Sequence, residues 1–415
     1  MCNKVVTILF SIVATYSFFS CAKDDDTVPL PKENPKMAES RTILAYLIAE
    51  NNLNSDINTN VDQMLRGMMH GELKANDRLV VFIDDVQFPR YYALDRNIKD
   101  TVLVNVKPVH AFSEDFNSSE SSRLQEALEF TKKHYPASSY GLVMASHGSG
   151  WIPSNYIGDN PSYSSPRRSI GLDNGMNSTG KMPGNQMNID DMDKAVRNAG
   201  GVDFIFFDAC FMECIEVAYE LRNSTKYIIS SPAEIPDKGA DYSTMLPAMF
   251  YANDYPAEML NAYYKTYSTI GKSYGINITA IRTEYLDNFA SYMKQIVSDN
   301  KNDILNLAYS SSLNYMEYGY WSRNYPDFYD MQGIMLHTLD TDSFNKWKQE
   351  ASKVIVGNLN TGYWYSGFDN STHTINPEEC CGVSMFIPST KYGTGNYSYF
   401  KQYSTTAWGR YVWGM

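Results

Sequence analysis

No Cys-x-x-Cys pair and no His-Glu-x-x-His occurs in the 415 residues, so the common signatures of a zinc site are missing. Cysteine is scarce, with six in the chain. Cys2 and Cys21 fall in the N-terminal segment, Cys210 and Cys214 are one helical turn apart, and Cys380-Cys381 are adjacent and would pair only with strain. No structural disulfide is expected. There is no run of Lys or Arg, and 35 basic against 47 acidic residues give a formal net charge of -12. That balance argues against nucleic acid as a partner. The N-terminal apolar stretch, Val5 to Phe19, is shorter than a stable membrane span. The serine-hydrolase elbow Gly-x-Ser-x-Gly is absent around Ser149, and no internal repeat is visible.

What is present begins with that apolar stretch. Lys4 precedes it, and residues 1–20 have the form of a signal peptide. It ends at Ser17-Phe18-Phe19-Ser20-Cys21, which resembles a bacterial lipobox with Phe18 in place of the usual Leu. Ala22-Lys23-Asp24-Asp25-Asp26 resembles the surface-export signal of Bacteroidota lipoproteins. The resemblance implies a lipid anchor at Cys21 and an outer-membrane, surface-exposed protein. Residues 21–40, rich in Pro, Lys and Glu toward their end, read as a tether. The rest exceeds one ordinary domain on size, and 43% hydrophobic residues supply a large core.

Strand-like apolar runs recur at Thr42 to Ala49, Arg78 to Asp84, Thr101 to Val106, Tyr140 to Ala145, Val202 to Phe207 and Tyr227 to Ser231. Helical patterns lie between several of them. Ser121 to His134 closes at Pro136. Asn188 to Ala199 opens on Asp190 and Asp191 and stops at Gly200-Gly201, and Phe211 to Leu221 places Cys214, Ile215, Ala218 and Leu221 on one stripe. Strands alternating with helices predict an α/β fold, a three-layer sandwich around a mainly parallel sheet, over residues 41–250. Residues 251–415 turn helical, through Pro256 to Ile270 and Thr283 to Ser298, with a late strand at Gly382 to Pro388. This C-terminal part is expected to pack on the core. Ile152 to Met187, rich in Pro, Gly, Asn and Ser, reads as a long loop, a type usually functional or disordered.

Two short segments carry the chemistry. Ser146-His147-Gly148-Ser149-Gly150-Trp151 ends one apolar run, and Asp208-Ala209-Cys210 ends the next. Both runs have the character of buried parallel strands, so each delivers its last residues to the carboxyl edge of the sheet, where open α/β sheets bind ligands. A thiol and an imidazole brought there from neighbouring strands make a nucleophile and a base. Taken singly, a Cys or a His at a strand end is more often structural; the pairing gives them weight. Cys210 also reads as lying close to a helix N-terminus, which favours thiolate. Gly148 lets a backbone N–H approach a carbonyl oxygen, and with the N–H of Cys210 this forms an oxyanion hole.

The His-Gly and Asp-x-Cys pair resembles the clostripain family of cysteine peptidases, in the caspase-like clan that also holds gingipains, legumains and separase. Glu216-Val217-Ala218-Tyr219-Glu220-Leu221 and Ser231-Pro232-Ala233-Glu234-Ile235-Pro236 extend the likeness, which covers roughly Arg41 to Leu246 and is thin beyond. Glu213 and Cys214 depart from the small residues it implies there. The resemblance implies a caspase-like fold and endopeptidase activity on polypeptides with basic residues, through Cys210 and His147. It places Asp208 at the base of the pocket that selects Arg or Lys, with Asp237 and Asp241 as second-acid candidates. It also implies self-cleavage between the His and Cys segments, where Arg168 or its neighbour Arg167 is the expected site. No cofactor is implied, although some members depend on calcium. Asp190, Asp191 and Asp193 do not meet the spacing of a calcium loop and read as helix-start acids. Trp151 and Tyr363-Trp364-Tyr365 read as packing rather than binding walls. A non-catalytic surface lipoprotein that binds glycan or protein, and a same-fold cysteine hydrolase of other specificity, remain the rival readings.

Overall fold

The computed structural model describes residues 40–153, 169–175, 185–308, 313, 315–316, 328–367, 370–395 and 398–415. Cys21, Arg167 and Arg168 lie outside these. Along the chain come β1 (Arg41–Ile48), α1 (Asn54–Met68), β2 (Arg78–Asp84), β3 (Arg90–Leu94), β4 (His110–Ala111), α2 (Ser121–His134) and β5 (Ser139–Ala145). A short hairpin follows, β6 (Ile170–Asp173) with β7 (Asn185–Met187), then α3 (Ile189–Asn198), β8 (Val202–Asp208), α4 (Ile215–Leu221) and β9 (Thr225–Ser230). The chain continues through α5 (Tyr242–Met249), α6 (Tyr255–Tyr267), β10 (Asn277–Arg282), α7 (Leu286–Leu307), β11 (Tyr315–Met316), β12 (Phe328–Asp330), α8 (Met331–Thr338) and α9 (Thr341–Val354). It ends with β13 (Ile355–Asn360), β14 (Tyr363–Ser366), β15 (Ser371–Thr374), β16 (Ser384–Met385), α10 (Tyr399–Tyr403) and α11 (Ala407–Tyr411).

Nine strands form one sheet in the order β13-β10-β9-β8-β5-β1-β2-β3-β4. The five central strands, β9, β8, β5, β1 and β2, run parallel, and antiparallel strands flank them on both edges. The apolar runs are continuous because both faces are covered, so successive residues serve opposite cores. Leu44, Tyr46, Leu142, Met144, Ile205 and Phe207 face the core built with α2, α3, α4 and α7. Ile43, Ala45, Val143, Phe204 and Phe206 face the one built with α1, α5 and α6. The fold is therefore the expected three-layer α/β sandwich.

Three expectations are corrected. Thr101 to Val106 is not a strand; Leu103–Asn105 form a single 3-10 turn, with Val102 and Val104 exposed. The position next to β2 is taken by β3, whose Arg90 pairs with buried Asp85 at 2.8 Å. The helix expected from Phe211 begins only at Ile215, because Phe211 adopts a left-handed φ of 64°. The late strand shrinks to Ser384–Met385. The C-terminal part also contributes β10 and β13 to the main sheet.

Cys210, Cys214, Cys380 and Cys381 form no disulfide. Trp151 is buried against Phe386 and Tyr403, and Trp364 is buried against His373.

Candidate active site

β1, β5 and β8 are adjacent and parallel, so their carboxyl ends open onto one edge. A cleft of about 640 Å³ lies there, and Asn52, His147, Gly148, Asp208, Cys210, Glu234, Asp237 and Tyr365 are among its walls. The two segments singled out in sequence thus meet in one cavity. Gly148 and the Cys210 turn are in close contact: a Cβ on Gly148 would sit 2.7 Å from the Cys210 carbonyl oxygen and 3.0 Å from the Ala209 methyl. Only glycine permits that approach.

Cys210 is half-buried, and its Sγ accepts the Ile235 N–H at 3.4 Å. It does not sit at a helix N-terminus. Four residues separate it from α4, so the helix-dipole argument for a thiolate does not apply here. The turn is held instead by Phe211, whose N–H donates to the Ala233 carbonyl at 3.0 Å and whose ring stacks on Phe328 at 5.1 Å. A bulky residue in the left-handed region costs about 1–3 kcal/mol and persists only where packing enforces it.

His147 has a partner that the sequence reading did not name. Its Nε2 lies 2.7 Å from Asn52 Oδ1, in the loop after β1. With Nε2–H donating to Asn52, the neutral ring keeps its lone pair on Nδ1. The backbone beside it is fixed by β6: Gly171 N–H donates to the His147 carbonyl at 2.9 Å, and Ser149 N–H donates to Ser169 at 3.0 Å. Asn51 Nδ2 donates to the Ile48 and Leu172 carbonyls, tying β1 to the same hairpin. The signal for Asn52 was present as polar Glu50-Asn51-Asn52 directly after an apolar strand, the position already used to select His147 and Cys210.

The three proposed pocket acids occupy different places. Asp208 is nearly buried at the cleft floor, accepting Ala240 N–H at 3.0 Å and the Tyr242 hydroxyl at 2.9 Å. Burial pushes its carboxyl up to about 6, and the two hydrogen bonds hold it from rising further. Asp237 is exposed and lines the cleft. Asp241 caps α5, accepting Ser243 N–H at 3.0 Å, and is not among the cleft walls. Glu234 lines the cleft as well, and its Oε1 accepts Gly367 N–H at 3.1 Å.

Asp190 and Asp191 both pair with Lys194 within α3, while Asp193 pairs with Arg197 and also accepts the Ser224 hydroxyl at 2.5 Å. A different acidic group has the donors for a metal: Glu50, Asp84 and Asp115 each place a carboxylate oxygen within 4.8 Å of the others.

A family model described as the clostripain family matches residues 45–413, which extends well past the Arg41 to Leu246 region where the sequence likeness was legible. Clostripain of Hathewaya histolytica is 24% identical over 256 residues, 53% of this chain and 46% of the relative. The chain thus spans about half the length of that curated relative. A secreted C11 cysteine protease from Bacteroides thetaiotaomicron, solved in complex with an irreversible peptide inhibitor, gives a TM-score of 0.72 at 27% identity, over 90% of this chain and 99% of that one. An inactive zymogen C11 protease from Parabacteroides distasonis gives 0.72 at 25% identity, over 92% and 99%.

Proposed function

The chain belongs to the clostripain family of cysteine peptidases, and from that premise we propose that it is an endopeptidase cutting polypeptides after Arg or Lys through Cys210 and His147. The observation that carries this reading is the shared cleft: a thiol, an imidazole held by Asn52, and carboxylates at one sheet edge. In this reading Cys210 Sγ, its proton passed to His147, attacks the scissile carbonyl. The backbone N–H groups of Gly148 and Cys210 stabilise the oxyanion. His147 returns the proton to the leaving amine, and water then hydrolyses the acyl-enzyme. Asp208, with Asp237 at the rim, receives the substrate guanidinium or ammonium.

The reading includes self-cleavage after Arg168 or Arg167, and surface display in the outer membrane through a lipid on Cys21; both rest on sequence features alone. A fluorogenic peptide panel on wild type and Cys210→Ala tests the core of it. Cleavage after Arg or Lys that disappears in the variant is the expected result. Cleavage retained by Cys210→Ala overturns the mechanism, and an unselective or differently selective wild type overturns the specificity. Fragment sequencing of wild type, Cys210→Ala and Arg167→Ala/Arg168→Ala tests processing. Identical fragments from Cys210→Ala exclude self-cleavage.

A further inference from the structure

A second cavity, of about 220 Å³, contains neither Cys210 nor His147. Trp151, Ser169, Asp190, Glu216, Glu220 and Thr406 are among its walls, and none of its described walls is a Lys, Arg or His. Glu216 is 2% exposed. Its Oε1 takes the Phe386 N–H and the Tyr403 hydroxyl, while its Oε2 and the indole nitrogen of Trp151 are shielded from solvent with no hydrogen-bond partner among the described residues. Glu220 is half-buried, and its Oε2 accepts the Ala407 N–H at 3.0 Å. Among the described residues Glu220 forms no ion pair, whereas Asp190 is already paired with Lys194. Burial holds the Glu220 carboxyl above its usual range; the Ala407 N–H opposes this, Asp190 adds to it, and Arg410 offsets it in part. Buried carboxyl groups of this kind cost free energy unless a positive group meets them.

Ser169, on the same wall, directly follows Arg168, the expected cleavage site, and is 1% exposed. Its hydroxyl donates to the Ile152 carbonyl at 3.0 Å, and its own carbonyl accepts the Ser149 N–H at 3.0 Å. In hydrolysis of the Arg168–Ser169 bond, the oxygen of water goes to the Arg168 carbonyl carbon, which becomes a carboxylate. The Ser169 nitrogen keeps the bonding pair and takes both protons of the water, becoming an α-ammonium. We propose that the cavity receives this Ser169 α-ammonium, with Glu220 as its counter-charge and Glu216 beside it. The docking rests on the proposed cut after Arg168.

An ammonium group is close in size to a water molecule, whose share of the liquid is roughly 30 Å³, so the cavity has room for it. One ammonium balances one carboxylate. Glu220, the less buried of the two, ionises more readily and carries that charge, while Glu216 keeps its proton. The position gives the pair a consequence. Ile170 bridges Gly148, and Gly171 N–H donates to the His147 carbonyl at 2.9 Å. A docked Ser169 therefore fixes the start of β6, the strand that holds the segment from His147 to Ser149. It fixes it against α4, which follows the Cys210 turn.

The test makes the cut with an added protease, so that it does not depend on self-cleavage. The full chain as Cys210→Ala/Arg167→Ala/Lys181→Ala keeps Arg168 as its one basic residue between Ile152 and Met187. Limited trypsin treatment follows, and N-terminal sequencing selects the product that starts at Ser169. Acetylation of its α-amine is then timed by mass spectrometry across pH 6 to 11, against the free peptide Ser-Ile-Gly-Leu. The expected result is an amine pKa at least one unit above the peptide value, which lies near the usual α-amino value of about 7.7–8.0. Burial without a counter-charge would shift it down instead. Glu220→Gln keeps a carbonyl oxygen for the Ala407 N–H, and is expected to return the amine to the peptide value or below while leaving thermal unfolding of the uncut chain unmoved. An amine pKa at or below the peptide value with Glu220 present overturns the proposal. A raised value that Glu220→Gln leaves in place overturns Glu220 as the counter-charge. Wild type that yields no fragments of its own overturns self-cleavage alone, because the amine is measured on a chain cut by trypsin.

Discussion

The contact between His147 Nε2 and Asn52 Oδ1 favours the tautomer protonated at Nε2, since an amide oxygen only accepts, and in the proposed mechanism that leaves Nδ1 as the base for the thiol. Asn52 touches neither substrate nor the reacting atoms in the proposed mechanism, so it acts by positioning. Asn52→Ala is expected to lower kcat by about tenfold to hundredfold with little change in KM, the size seen when an orienting partner is lost. A merely structural role would lower the amount of folded enzyme without moving the pH profile; here the acid limb of kcat/KM shifts too. Asp208 supplies a second test. Its carboxyl is raised to about 6, and only the ionised form attracts a basic side chain. Turnover of Arg substrates is therefore expected to fall, relative to any neutral substrate, as pH drops through about 6. Asp208→Asn removes that pH dependence together with the preference. A wild-type ratio that stays flat from pH 8 to 5 assigns the selection to Glu234 or Asp237, which share the cleft.

Helix α4 shows how the Cys210 turn is joined to the end of the chain. Glu216 is buried in its first turn and accepts Phe386 N–H at 3.0 Å and the Tyr403 hydroxyl at 2.7 Å. Cys214 forms a bridge with Ser384 one step earlier. Burial raises the Glu216 carboxyl to about 7, above its unfolded value near 4.5. A carboxyl raised in the folded state stabilises the fold below the unfolded pKa, and that contribution is lost as pH rises through about 7. Unfolding free energy is expected to decline between pH 5 and 8 in wild type, and to decline less in Glu216→Gln. Glu216→Ala leaves two buried donors unmet and costs about 2–6 kcal/mol, at roughly 1–3 kcal/mol for each. Denaturant titration at pH 5 and pH 8 reads all three proteins.

The same elements show what was legible in the chain. β1, β2, β5 and β8 were readable because burial on both faces makes each an unbroken apolar run. β3 was missed because Arg90 interrupts the pattern, its charge met by Asp85 and so invisible to hydropathy. β10 and β13 were missed because Asn277 and Asn358 occupy strand positions, where they hydrogen-bond to each other at 2.6 Å across the pair. Thr101 to Val106 alternates like a strand, yet Val104 is 84% exposed. The start of α4 was misplaced because φ at Phe211 is set by its stacking on Phe328, more than a hundred residues away. Strand ends bring His147, Gly148, Asp208 and Cys210 to one cleft, as the apolar runs imply, and the same rule reaches Asn52, whereas the contact of Glu234 with Gly367 is made only in the folded chain.

The chain folds around two continuous cores to which residues before and after Arg167 and Arg168 both contribute. β5, before Arg167 and Arg168, pairs with β8, after them, over Gly141 to Ala145. Leu44, Leu142, Phe207, Trp347, Trp408 and Trp413 belong to one core, so residues near both ends of the described chain are buried together. Separating the parts would expose this whole surface, at about 25 cal/mol for each Å² of apolar area. Closing or opening one chain connection changes stability by far less, since loop entropy grows only slowly with length. A cut at Arg167 or Arg168, by the enzyme itself or by added trypsin, is therefore expected to leave a single two-chain particle. Gel filtration of the nicked Cys210→Ala protein checks this. Elution at the intact volume, with two bands appearing only under denaturing conditions and an unfolding temperature within a few degrees of the uncut chain, is the expected outcome. Two separately eluting fragments would show that the connection itself holds β5 against β8, and would overturn the view that the sheet does so alone.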